Sequence, residues 1–132
     1  MNKIKNYIVI AAALAATVAA DAAALTSPDG KTAVTVACDN GMPTYTVEYN
    51  GTTVIMPSAL GLNTNVGDFT KNLTLSKTEA VRKVADSYRL YNTKHSEMNY
   101  EANAQTFTFA QNGKDVMAVT FQTSNDNVAF RY

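Results

Sequence analysis

Apolar side chains return at every second residue through most of this chain, and the runs stop at turns rich in Gly, Asn and Pro. That period marks extended strands with one buried face. Thr32 to Cys38 places Val34 and Val36 on one face. Tyr45, Val47 and Tyr49 alternate with Thr44, Thr46 and Glu48. Asn50-Gly51 follows at once, a pair suited to a type I′ turn because both central residues there need positive φ. Thr52 to Ile55 reads as the return strand, ended by Pro57. Ala104–Phe109, Val116–Gln122 and Val128–Tyr132 repeat the alternation, separated by turns at Gly113 and at Ser124-Asn125-Asp126-Asn127. Ser27-Pro28-Asp29-Gly30 and Asp39-Asn40-Gly41 are two further turns. Residues 58–72 read as a loop crossing between sheets. Thr78–Asp86 fits either a helical face or a strand, and the strand is the expectation. Seven or eight short strands at this spacing predict an all-β fold, an antiparallel β-sandwich.

The first 22 residues stand apart. MNKIKN carries Lys3 and Lys5, a 13-residue apolar run follows over 7–19, and small residues close it. This is the layout of a secretory signal, too short to span a ~30 Å hydrocarbon core. Val18 with Ala20, or Ala20 with Ala22, suits cleavage, which is expected within Ala20–Ala24. A buried N-terminal helix is the alternative. The expected location is the periplasm or the outside of the cell, with no membrane contact after cleavage. No cysteine follows the apolar run, which disfavours a lipid anchor. The expected mature domain is 23–132. Of 11 basic and 11 acidic residues, the signal takes Lys3, Lys5 and Asp21, leaving 9 against 10. No cationic excess remains for nucleic acid. About 110 residues make one domain, not a (β/α)₈ barrel of about 250.

Chemistry-bearing residues are sparse. Cys38 and His95 are the only cysteine and histidine, too few for a zinc site. Cys38 shares a strand face with Val34 and Val36 and reads as a small buried hydrophobe, while His95 reads as a loop residue. Paired carboxyl groups doing acid–base or nucleophilic work stand roughly 5–10 Å apart. Glu97 and Glu101 are the only close glutamate pair, and on a strand they would stand about 13 Å apart. They read as two solvated side chains. Asp68 reads as a turn-making Asp bonding nearby backbone. Tyr45 and Tyr49 read as core or sheet-face residues. Asn50-Gly51-Thr52 and Asn72-Leu73-Thr74 match the glycan-acceptor pattern, which carries little weight in a chain of this type. No catalytic, cofactor-binding or metal-binding residue is assigned.

Five strings occur in order: LTSPDGK (Leu25–Lys31), PTYTVEYNGTTVI (Pro43–Ile55), PSALGL (Pro57–Leu62), NVGDFTKNLTL (Asn65–Leu75) and SNDNVAFRY (Ser124–Tyr132). Together they resemble the N-terminal domain of glycoside hydrolase family 97. The resemblance implies an exported bacterial protein and a β-sandwich of the aldose-mutarotase-like type, of which this chain would be a partial super-sandwich. It also implies a catalytic barrel that is absent here or supplied by a separate chain. The family's calcium would be bound by residues beyond the matched segment, so no cofactor is expected in this chain. Asn127 departs from the family pattern, where Gly is usual after Asn-Asp; Asn tolerates the left-handed region, so the turn is expected to persist.

The leading functional expectation is a non-catalytic domain that packs on a family 97 barrel and supports carbohydrate binding. An independent exported carbohydrate-binding or adhesion module is the alternative from another class, and a non-functional remnant is a third. The closing strand places Val128, Phe130 and Tyr132 on one face with nothing after it to cover them, which predicts marginal stability and self-association.

Overall fold

The computed structural model describes residues 22–92, 94 and 96–132. The export segment, apart from Ala22, and His95 lie outside the described residues.

Turn chemistry sets the hairpins. Asn40 (φ 50°) and Gly41 (φ 79°) join β2 (Thr32–Asp39) to β3 (Met42–Tyr49). Asn50 (φ 50°) and Gly51 (φ 74°) join β3 to β4 (Thr52–Ala59), and Asn112 (φ 51°) and Gly113 (φ 77°) join β9 (Glu97–Gln111) to β10 (Lys114–Ser124). Two left-handed residues in succession give the twist that antiparallel strands require.

With β1 (Ala22–Thr26), the first three of these strands form a four-stranded sheet in the order β1-β2-β3-β4. The second sheet runs β11 (Val128–Arg131)-β10-β9. On its far side β9 pairs with two strands in succession, β7 (Thr74–Thr78) and β8 (Arg82–Arg89). The chain crosses between the sheets through residues 60–73, which hold a small hairpin of β5 (Asn63–Thr64) and β6 (Gly67–Asp68). Every pairing is antiparallel.

The alternating residues meet between the sheets. Leu25, Val34, Val36 and Val47 face Phe107, Phe109, Met117, Val119 and Phe121, with Leu60 and Leu73 brought in by the crossing segment. Burying each such side chain is worth about 1.5–3 kcal/mol, which makes this the main stabilising layer. Cys38 packs on the same cluster, and its thiol donates to the Leu73 carbonyl at 3.2 Å. An aromatic series links the sheets: Tyr45 lies 5.5 Å from Phe121 and 5.4 Å from Phe130, centroid to centroid.

Four expectations change. Pro57 does not end the fourth strand, because β4 continues to Ala59. It is an edge strand, and Met56 and Pro57 bulge opposite Thr46, so the missing N–H costs no ladder bond. Thr78–Asp86 is not one strand: β7 ends at Thr78 and β8 starts at Arg82. The gap is closed by the Glu79 N–H donating to the Thr106 carbonyl and by Gln105 Nε2 donating to the Glu79 carbonyl. The described residues therefore form eleven strands rather than seven or eight. Finally, the Ser124–Asn127 turn forms without Asn127 entering the left-handed region. Ser124 N–H donates to the Asn127 carbonyl, and the Asp126 carboxylate accepts from Ser124 Oγ and Asn127 Nδ2.

Candidate functional site

β9 is longer than its neighbour. It pairs with β10 only from Ala102 onward, where Ala102 faces Ser124. Residues 97–101 run past that point and pair with β8 alone. The result is a two-stranded arm projecting from the sandwich, exposed on most of its length. A free two-stranded ribbon is marginal in water, so its rooting in the five-stranded sheet matters. Tyr100 helps here, since its hydroxyl accepts from Gln122 Nε2 on β10 at 2.9 Å.

Between the arm and the turn joining β10 to β11 lies a cleft of about 620 Å³. Tyr88, Met98, Asn99, Tyr100 and Glu101 line one side, and Ser124, Asn125, Asp126 and Asn127 the other. The turn is tied to the Ser27–Gly30 turn, because Asn125 Oδ1 accepts from the Asp29 backbone N–H at 3.1 Å. Asn99 Oδ1 accepts from Ser87 Oγ at 2.9 Å. Those bonds use the amide oxygens and leave the amide NH₂ groups of Asn99 and Asn125 without a partner among the described residues. Aromatic faces, amide donors and two exposed carboxylates form a lining suited to a ligand rich in hydroxyls and C–H faces.

The residues singled out from sequence fall elsewhere, with one exception. Glu101 lines this cleft, while Glu97 stands farther along the arm; both are exposed, as two solvated side chains should be. Asp68 is a turn-maker: its carboxylate accepts from the Thr70 hydroxyl and N–H and pairs with Lys71 at 3.1 Å. These bonds, the Thr70 hydroxyl first, hold its pKa below the ordinary 3.8. Tyr45 is half-buried in the aromatic series, and Tyr49 is largely exposed on β3. Among the described residues no three His, Cys, Asp or Glu side chains come together. No described helix is long and apolar enough to cross a membrane. Sequence reasoning missed Tyr88, Tyr100 and the asparagines of the cleft. Their only signal was polarity, and their meeting depends on the β9–β10 overhang.

The family model described as "Glycosyl-hydrolase 97 N-terminal" matches residues 25–132. A probable retaining α-galactosidase of Streptomyces bingchenggensis is 34% identical over 92 residues, which cover 70% of this chain and 14% of that protein. The crystal structure of a β-arabinopyranosidase superposes with a TM-score of 0.74 at 38% identity, covering 82% of this chain and 17% of that one. A glycoside hydrolase family 97 enzyme from a Pseudoalteromonas species, in complex with panose, gives 0.73 at 22% identity with the same coverages. The chain therefore spans a small part of the length of each of these relatives.

Proposed function

This chain belongs to the glycosyl-hydrolase 97 N-terminal family, and from that premise we propose that it is a non-catalytic sandwich that supports a glycosidase barrel and presents a saccharide-binding cleft beside it. The cleft between the arm and the Ser124–Asn127 turn carries the reading. Its tyrosines offer faces for sugar C–H groups, and its amides and carboxylates suit sugar hydroxyls. The barrel, in this reading, supplies both catalytic carboxyl groups. Here Glu97 and Glu101 lie four residues apart on one strand, about 13 Å, too far for a retaining pair at roughly 5 Å. The relatives act on α-galactosides and β-arabinopyranosides by their names, so pyranosides of those kinds are the proposed ligand class. Export by the N-terminal segment, to the periplasm or beyond, belongs to the same reading.

The test is turnover. The chain alone is expected to release no product from aryl α-galactosides, aryl α-glucosides or aryl β-arabinopyranosides. Turnover that Glu101→Gln abolishes would overturn the non-catalytic role.

A further inference from the structure

On the outer face of the second sheet, Arg82 and Arg131 line one shallow cleft of about 210 Å³, which Gln122 joins to the arm through its bond to Tyr100. Arg82 stands in a cross-strand row with Ala104, Gln122 and Ala129. Arg131 stands in the next row, with Thr120 and Thr106. In that row the Thr106 and Thr120 hydroxyls bond each other at 3.0 Å. Arg82, Thr120, Gln122, Ala129, Phe130 and Arg131 line the cleft, and no acid is among them.

Neither arginine forms an ion pair or a side-chain hydrogen bond among the described residues, although the chain as a whole is charge-balanced. The ion pairs there join only lysines to acids: Lys31–Asp29, Lys71–Asp68 and Lys77–Glu79. An anion held between the two arginines would gain from both charges. Arginine matches planar oxyanions with paired N–H donors, and such charge-assisted bonds are roughly twice as strong as neutral ones. Beside the anion the Thr120 hydroxyl and the Gln122 amide, whose Nε2 also donates to the Tyr100 hydroxyl, offer neutral hydrogen bonds.

We infer that this face is a second binding site, for a saccharide that carries an anionic group, a carboxylate or a sulfate ester, held between Arg82 and Arg131. The inference rests on the proposed carbohydrate role only for the choice of a sugar as the anion's carrier. The two are separated by ligand and by variant. Neutral sugars report on the arm cleft through Tyr88, whereas acidic sugars report on the arginine cleft.

The experiment is a titration of the full chain, by calorimetry and by ¹⁵N amide shifts, with digalacturonate, galactose 6-sulfate, neutral galactobiose and inorganic sulfate. Digalacturonate or galactose 6-sulfate should bind at least about tenfold more tightly than galactobiose or sulfate. Binding should shift the Thr120 and Gln122 amides and weaken as salt is raised. Whichever of the two acidic sugars binds identifies the anionic group. Arg82→Gln and Arg131→Gln should each weaken that binding about tenfold, with melting temperatures and Tyr88-dependent binding unchanged. Equal affinity for neutral and acidic sugars would overturn the inference. So would equal affinity for inorganic sulfate, which would mark a bare anion site, and so would full acidic-sugar binding in the Arg82→Gln, Arg131→Gln double variant.

Discussion

The Tyr132 hydroxyl and the Gly61 backbone grip each other across 71 residues of chain. The hydroxyl accepts from the Gly61 N–H at 3.0 Å and donates to the Gly61 carbonyl at 3.3 Å. This contact fastens the end of the second sheet to the segment that crosses from the first. Gly61 has φ of 140°, and a Cβ there would stand 2.7 Å from the Phe69 carbonyl oxygen and 2.8 Å from Thr70 Cα. Tyr132→Phe is therefore expected to cost about 0.5–1.5 kcal/mol, the usual worth of a hydrogen bond. Gly61→Ala is expected to cost about 2 kcal/mol or more, through strain and backbone collision. Urea midpoints at unchanged m-value measure both. A Gly61→Ala cost smaller than that of Tyr132→Phe would contradict this account of the crossing.

Acid should loosen two turns before it reaches the core. Asp29 is held below the ordinary 3.8 by the Ser27 hydroxyl first, then by the Lys31 N–H and ammonium. Asp68 is held down by the Thr70 hydroxyl first, then by Lys71 and the Thr70 N–H. A depressed folded-state pKa means that the unfolded chain takes up the proton first as pH falls. Their contribution is therefore full above 3.8 and is lost as pH drops through the folded-state values. Melting temperature from these two groups should be flat from pH 7 to about 4 and fall below that. The Asp29→Asn, Asp68→Asn double variant should show a shallower fall in the same scan.

Edges govern solution behaviour. β4 and β11 are the edge strands of their sheets on the side where an apolar groove of about 360 Å³, lined by Val47, Val54, Ile55 and Val128, opens. Met56 is 70% exposed and Val54 58%. Unpaired strand edges with apolar side chains recruit other chains. Concentration-dependent self-association is expected in sedimentation velocity. Val54→Lys should suppress it with little change in melting temperature, because the side chain is already in water. Association unchanged by Val54→Lys would place the contact elsewhere.

The fold was more legible than the site, for physical reasons. Asn50-Gly51 and the Val34/Val36 alternation are local signals, and both hairpin and face follow from them. Pro57 misled because its lost N–H matters only inside a sheet, and edge position is a tertiary fact. The break at residues 79–81 was hidden because Val81, inside it, suits a strand as well as Val84 beyond it does. The cleft was illegible for a stronger reason. Glu101 and Asn127 line one cleft because β9 outruns β10 by five residues, Glu97 to Glu101. Register between strands carries no mark in composition. Arg82 and Arg131 likewise share a face only through three successive strand pairings.

Strand β1 bears on processing. Ala22 pairs with Ala37, and Ala23 packs on the core cluster. Cleavage after Ala20 leaves this strand whole, whereas cleavage after Ala22 removes one pair. N-terminal sequencing of exported protein is expected to begin at Asp21. A mature protein beginning at Leu25 would lack Ala22, Ala23 and Ala24, the first part of β1, and would contradict the pairing.

In the proposed function, the arm and the Ser124–Asn127 turn hold a saccharide without catalysis. A ¹⁵N amide titration of the full chain with neutral galactobiose and with a β-arabinopyranoside decides it. The expected result is saturable binding in the millimolar range, about −4 kcal/mol. Shifts should be centred on Asn99, Tyr100, Asn125 and Asn127, and Tyr88→Ala should abolish them while leaving the rest of the spectrum intact. Saturating sugar that leaves those four amides unmoved, or binding that Tyr88→Ala does not weaken, would contradict it.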